Sequence, residues 1–197
     1  MKSNLFKKAV WIAVLGTITF TGNAQVLKFS PKNSVITIQG TSNLHDWKSK
    51  TEQLKGEIVL ASENQLQSLT LEIPVKSIKS GEKLMDSKTY DTFNADKHPN
   101  IIFKMTEVVS FQRNGNQLNV TVNGNLSLAG TTRNVTIKVK GTVNQSGQYI
   151  VSGEYSFKMT DFKMIPPKAL MGALKVGDNI NLQFNVTLTD QLQALLN

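Results

Sequence analysis

"INLQFNVTL", residues 180–188, alternates without a break: Ile180, Leu182, Phe184, Val186 and Leu188 fall on one side, Asn181, Gln183, Asn185 and Thr187 on the other. A β-strand turns successive side chains to opposite faces, so this run has one dry face and one wet face. The same period recurs upstream in "LTLEIPV" (Leu69, Leu71, Ile73, Val75), "LNVTVNGNLSL" (Leu118, Val120, Val122, then Leu126 and Leu128), "VTIKV" (Val135, Ile137, Val139) and "YSFKM" (Tyr155, Phe157, Met159). Further strands are expected near 34–40, 54–60 and 101–109, where the alternation is less regular. Asn114-Gly115, Gly130 and Ser146-Gly147 separate the runs, and these are residues that tolerate the positive φ of hairpin turns. Strands joined by such short turns are antiparallel neighbours.

Two segments break the period. Residues 82–95 ("EKLMDSKTYDTFNA") carry helix formers and no proline, and 166–172 ("PPKALMG") reads as a short helical turn opened by prolines. Both are candidate lids or plugs. About eight strands with one apolar face each can pack as two sheets or close into a barrel. Closure removes exposed edges, which matters in a chain with no cysteine and therefore no disulfide. The expected fold is all-β: an eight-stranded antiparallel barrel with one helix and one short helical turn. Such a barrel has an interior that side chains fill or that holds one small ligand.

Domain organisation follows from the amino terminus. Lys2, Lys7 and Lys8 precede the apolar run "AVWIAVLGTITF", and small residues Gly22 and Ala24 stand before Gln25. This pattern predicts a secretory signal peptide over 1–24 and one mature domain over 25–197, periplasmic or secreted. The apolar run is short of the roughly 20 residues that span a bilayer, so no transmembrane segment is expected in the mature chain. No cysteine follows the run to carry a lipid anchor. The formal charge of +8 falls to +5, because three lysines and no acids leave with the signal. The remaining lysines are scattered singly, which excludes a nucleic-acid face and leaves weak attraction to anionic membrane surfaces. Asn-x-Ser/Thr sequons, among them Asn119, Asn134, Asn144 and Asn185, lie mostly on the wet faces of strands.

"SNLHDW", residues 42–47, places His45 beside Asp46 and near serines, so a hydrolytic site has to be weighed. Adjacent strand residues point to opposite faces, and neither Ser42 nor Ser49 lies in a strained elbow that would activate it. The reading set against catalysis is a His45 that hydrogen-bonds backbone at a barrel end, beside a packing Trp47. A metal site fares no better: His45 and His98 are far apart in sequence, and Asp46, Asp91 and Asp96 lack ligand spacing. No residue set asks for a cofactor. Parity assigns to the lumen Leu71, Ile73, Phe103, Met105, Leu126, Leu128, Ile137, Val139, Tyr155, Phe157, Met159, Leu182, Phe184 and Val186.

Four stretches in order resemble the YceI-like, polyisoprenoid-binding family of exported lipocalin-like barrels: "SNLHDW", "IKSGEKLMDSKTYDTFNADKHPNIIFKM", "GNLSLAGTTRNVTIKVKG", and "TDFKM" followed by "LKVGDNINLQF". The resemblance runs from about Leu27 to Leu188. It departs from the family pattern at Asn33, where a histidine is usual, at Thr92-Phe93-Asn94 in place of paired aromatics, and at Lys163 in place of a glycine. It implies a lumen that holds the chain of an isoprenoid or quinone-like lipid, no established catalytic residues, and His45 as a contact to a ligand head group. The expected function is carriage, storage or sequestration of such a lipid. Two alternatives stand beside it: a ligand-free structural barrel that binds another exported protein, and a hydrolase that uses His45.

Overall fold

The computed structural model describes residues 24–191; the expected signal peptide lies outside the described residues apart from Ala24. Among the described residues there are eleven strands: β1 (Gln25–Phe29), β2 (Val35–Ser42), β3 (Trp47–Thr51), β4 (Lys55–Ser62), β5 (Gln65–Pro74), β6 (Asn100–Asn114), β7 (Gln117–Leu128), β8 (Thr131–Val143), β9 (Tyr149–Lys158), β10 (Lys168–Ala169) and β11 (Leu174–Asp190). The helix α1 spans Lys83–Phe93.

Eight strands close a ring in the order β1, β4, β5, β6, β7, β8, β9, β11 and back to β1, every neighbour antiparallel. The expected barrel is therefore the fold. The last strand closes it: β11 pairs with β9 on one edge from Asn179 to Leu188, and on the other edge first with β2 and then with β1. Hairpin β2–β3 flares from the ring at one end, where Lys50 of β3 bridges to Lys79. That end is the mouth.

The turns follow their chemistry. Leu128 faces Thr131 across the two-residue turn Ala129-Gly130, whose φ values of 47° and 79° match the twist of the flanking strands. Gly130 is required twice over, because a Cβ there would stand 2.6 Å from the ring of His98. In the β8–β9 turn the Asn144 carboxamide oxygen accepts from the backbone of Ser146 and Gln148, so this sequon asparagine serves the turn.

Helix α1 ends at Asn94, which takes the left-handed conformation (φ 49°), while the Ala95 amide donates to the Tyr90 carbonyl. The segment 166–172 departs in detail from its expected form. Lys168–Ala169 pair with β11 before a 3-10 turn forms over Leu170–Gly172, because prolines 166 and 167 favour extended backbone around them.

Two groups of buried apolar residues stack along the barrel. One, toward the mouth, includes Phe103, Val122, Leu126, Leu128, Met159, Phe162 and Ile180; the other, where β1 meets β11, includes Leu27, Ile58, Leu60, Leu118, Tyr149, Val186 and Leu188.

Candidate functional site

The dry faces of the strands enclose a cavity of about 400 Å³ that runs between the two apolar groups and reaches the mouth. Leu71, Ile73, Phe103, Leu126, Leu128, Ile137, Val139, Tyr155, Phe157, Met159, Leu182, Phe184 and Val186 all line it, as does His45 at the rim. Met105 does not. It packs against the mouth-side apolar group but does not reach the cavity surface. Its cross-strand partner is Gly124, over which the ring of Phe103 lies, and the strand register slips between Met105 and Glu107. Parity within a strand places a side chain on a face, but a ring leaning across from two residues away takes the space.

That leaning ring is one of three. A Cβ at Gly124 would lie 2.3 Å from Phe103, one at Gly153 would lie 2.4 Å from Phe184, and one at Gly40 would lie 2.3 Å from Trp47. Gly153 and Gly40 face their aromatic directly across the ladder. A missing Cβ lets each ring lie back against the wall instead of standing into the lumen. Large side chains and open space thereby coexist in a barrel this narrow.

Several liners lie where the alternation is weakest. Ile36 and Ile38 on β2, Ile58 and Leu60 on β4, and Phe111 at the far end of β6 all face the cavity. The signal that finds them is the cross-strand register: Ile58 opposes Leu27, and Ile36 opposes Phe184. The helix contributes a different chemistry. Lys88, Thr89 and Thr92 on α1, Glu82 just before it, and Ser42, His45, Ser49 and Thr51 on the β2–β3 hairpin give the cavity one polar end. Apolar side chains line the rest.

The polar groups at this end are largely committed to backbone. His45 Nδ1 lies 2.8 Å from the Asp46 carbonyl oxygen and the side chain is exposed. Ser42 Oγ donates to the His45 carbonyl at 2.8 Å and accepts from the amides of Leu44 and His45, so it holds the turn. The Asp46 carboxylate does not orient the imidazole. Trp47 Nε1 donates to the Thr41 carbonyl at 3.0 Å, which fixes its ring over Gly40. His98 packs over Gly130, and among the described residues no three His, Asp or Glu side chains come together to hold a metal. Burial pushes the Tyr155 hydroxyl above its ordinary value, so it stays neutral beside the cavity.

The helix that covers this end is held by polar contacts. The Asp86 carboxylate accepts from the Ser80 amide and hydroxyl at 2.8 and 2.7 Å, and the Tyr90 hydroxyl donates toward the Ile78 and Lys76 carbonyls. Partial burial opposes ionisation of Asp86, but the two Ser80 hydrogen bonds and nearby Lys79 outweigh it and hold the carboxyl below its ordinary value. No residue of α1 is fully buried. No described helix is long and apolar enough to cross a membrane.

No curated protein matches the chain. Among solved structures, BcnA of Burkholderia cenocepacia superposes with a TM-score of 0.68 at 18% identity, covering 82% of this chain and 99% of that one. A polyisoprenoid binding domain from Saccharophagus degradans, implicated in plant cell wall breakdown, gives 0.66 at 11% identity, with 84% and 99% covered. The Campylobacter jejuni YceI protein gives 0.56 at 19% identity, with 73% and 84% covered. At such identities these likenesses establish a shared fold. The model of the YceI-like domain matches residues 27–188, from the middle of β1 to two residues before the end of β11, and on that span the chain belongs to the YceI-like family.

Proposed function

We propose that this chain is an exported binding protein that holds a long apolar lipid, isoprenoid or quinone-like, in its barrel lumen for carriage, storage or sequestration. The observation that carries the reading is the cavity itself: apolar along its length and polar at the mouth. That arrangement suits a ligand with a hydrocarbon chain and a small head, the chain inside and the head beside His45, Thr89 and Thr92. Each methylene removed from water contributes roughly 0.8 kcal/mol, so a few isoprene units offset the several kcal/mol lost on immobilising a ligand. The polyisoprenoid-binding relative and the family membership support the same class of ligand. Export rests on the lysine-flanked apolar run before Gln25.

No chemical step is assigned, since Ser42 is engaged by its own turn and His45 by the neighbouring carbonyl. The test is mass spectrometry of an organic extract of the natively purified protein, alongside sequencing of its amino terminus. A stoichiometric polyprenyl or quinone-type lipid and a start at Gln25 are expected. An empty extract from protein purified without detergent removes the carrier reading, and a retained Met1 removes export.

A further inference from the structure

Six large apolar side chains stand exposed among the described residues, and four of them surround one opening. Leu84 is on α1 and lines the cavity entrance. Leu44 caps the β2–β3 turn; Ile165 and Met171 project from the strap of residues 163–173 that leads into β11, and are 82% and 110% exposed. The turn and the strap form one platform: the Asn43 side chain donates to the Ala173 carbonyl at 2.8 Å, and the Lys175 amide donates back to it at 2.8 Å. The strap also frames the cavity, through Met164, Pro167 and Lys168. The other two exposed apolar residues, Val109 and Ile150, stand singly on β6 and β9.

Two features of the strap point to what covers it. Met171 holds a left-handed backbone (φ 56°, ψ 27°) that a non-glycine residue adopts at a cost, yet its side chain gains no packing in return. Between Asp161 and Asp178 the chain carries Lys163, Lys168 and Lys175 and no acid. Apolar side chains projecting beyond a belt of lysines match an interface with hydrocarbon below anionic head groups. We propose that the mouth rim docks on an anionic phospholipid bilayer, with Leu44, Ile165 and Met171 inserted and the strap lysines on the head groups. The cavity entrance then faces the membrane. Docking stands apart from what fills the cavity, but its use, passing a lipid between bilayer and lumen, rests on the proposed function.

Co-sedimentation tests this with vesicles of phosphatidylethanolamine and phosphatidylglycerol, compared with phosphatidylcholine alone. The wild-type protein should pellet with the anionic vesicles, less so as salt rises, and stay in the supernatant with the neutral ones. The double variant Ile165→Ser/Met171→Ser should bind at least about tenfold more weakly with an unchanged melting temperature, because both side chains are already in water. Lys163→Gln/Lys175→Gln should weaken binding several-fold and flatten its salt dependence. The control Val109→Ser/Ile150→Ser should bind as wild type. The proposal falls if the wild type ignores anionic vesicles, if the control loses as much as the rim variant, or if gel filtration shows the rim variant abolishing a dimer instead. An extract that contains lipid from a protein that ignores vesicles leaves the cavity reading standing and removes docking alone; the converse result supports docking and removes carriage.

Discussion

The seam between β1 and β11 and the helix over the mouth are both parts of the cavity wall, yet they are held by different physics. At the seam, Leu27 and Leu188 are almost wholly buried, and backbone ladders run on both sides of β1. At the mouth, α1 buries none of its residues completely and depends on the partly buried Asp86 and Tyr90 and on the exposed Lys76–Asp96 pair at 2.8 Å. Burial of apolar area resists opening until the whole domain unfolds, whereas a few surface hydrogen bonds yield locally. One wall therefore sets stability and the other sets access.

The sharpest way to break this contrast is to charge the lumen. Phe184→Lys should abolish lipid recovery and lower the melting temperature by several degrees, since a charge in an apolar cavity is costly and each kcal/mol is about 2–4 °C for a domain this size. Gln183→Lys, one residue away on the exposed face, should do neither. Equal behaviour of the two in parallel melts and extracts means that the faces are misassigned.

Next comes truncation at the two walls. Leu27→Ala should cost about 2–5 kcal/mol in denaturant unfolding, the range for a buried leucine that leaves a cavity. Leu84→Ala on the helix, 57% exposed, should stay within about 0.5 kcal/mol. A large loss at Leu84 breaks the division between a stable seam and a compliant lid.

Asp86→Ala should cost about 1 kcal/mol and should act mainly on α1, raising the hydrogen exchange of its amides while those of β11 stay protected. The pH dependence has the same sign. The Asp86 carboxyl is held below its ordinary value, so its contribution is complete above about pH 4 and fades as pH falls through its lowered value. Acid should therefore loosen the helix in the wild type, and less so in the variant, which keeps only the acid response of the Lys76–Asp96 pair. The smallest effect is expected at His45→Ala: its ring contact is with an exposed carbonyl, so stability should change by less than about 0.5 kcal/mol. Esterase or peptidase turnover that this variant abolishes with folding intact would contradict the binding reading.

What the sequence discloses is the parity of the strands, and with it most of the barrel. Ile180 to Leu188 predicts a dry face that the structure turns inward, and the break in alternation at 82–95 locates the helix. Parity gives the face but not the depth: Met105 packs on the inner side, as expected, yet the ring of Phe103 lies over its partner Gly124 and Met105 does not reach the cavity. Nor does parity reveal that Gly40, Gly124 and Gly153 are partners of aromatic rings, because those pairs come from register between strands. The polar end of the cavity was hidden for a similar reason. Thr89 and Thr92 on the helix and Ser49 and Thr51 on β3 come to line one cavity only through the fold.

The final strand has a bearing on the order of events in folding. β11 supplies the pairing for β9, β2 and β1, and Leu27 meets Asp190 across most of the chain. Until residues 174–190 are available, two edges of the sheet stand open and the lumen has no closing wall, so no binding-competent intermediate precedes the last strand. Closure across such separations is slow, and open edges pair readily with other chains. For a protein exported as proposed, that delay is useful: the strand that completes the barrel leaves the ribosome late, which keeps the chain unfolded enough to be threaded and postpones its capacity for lipid until it has arrived.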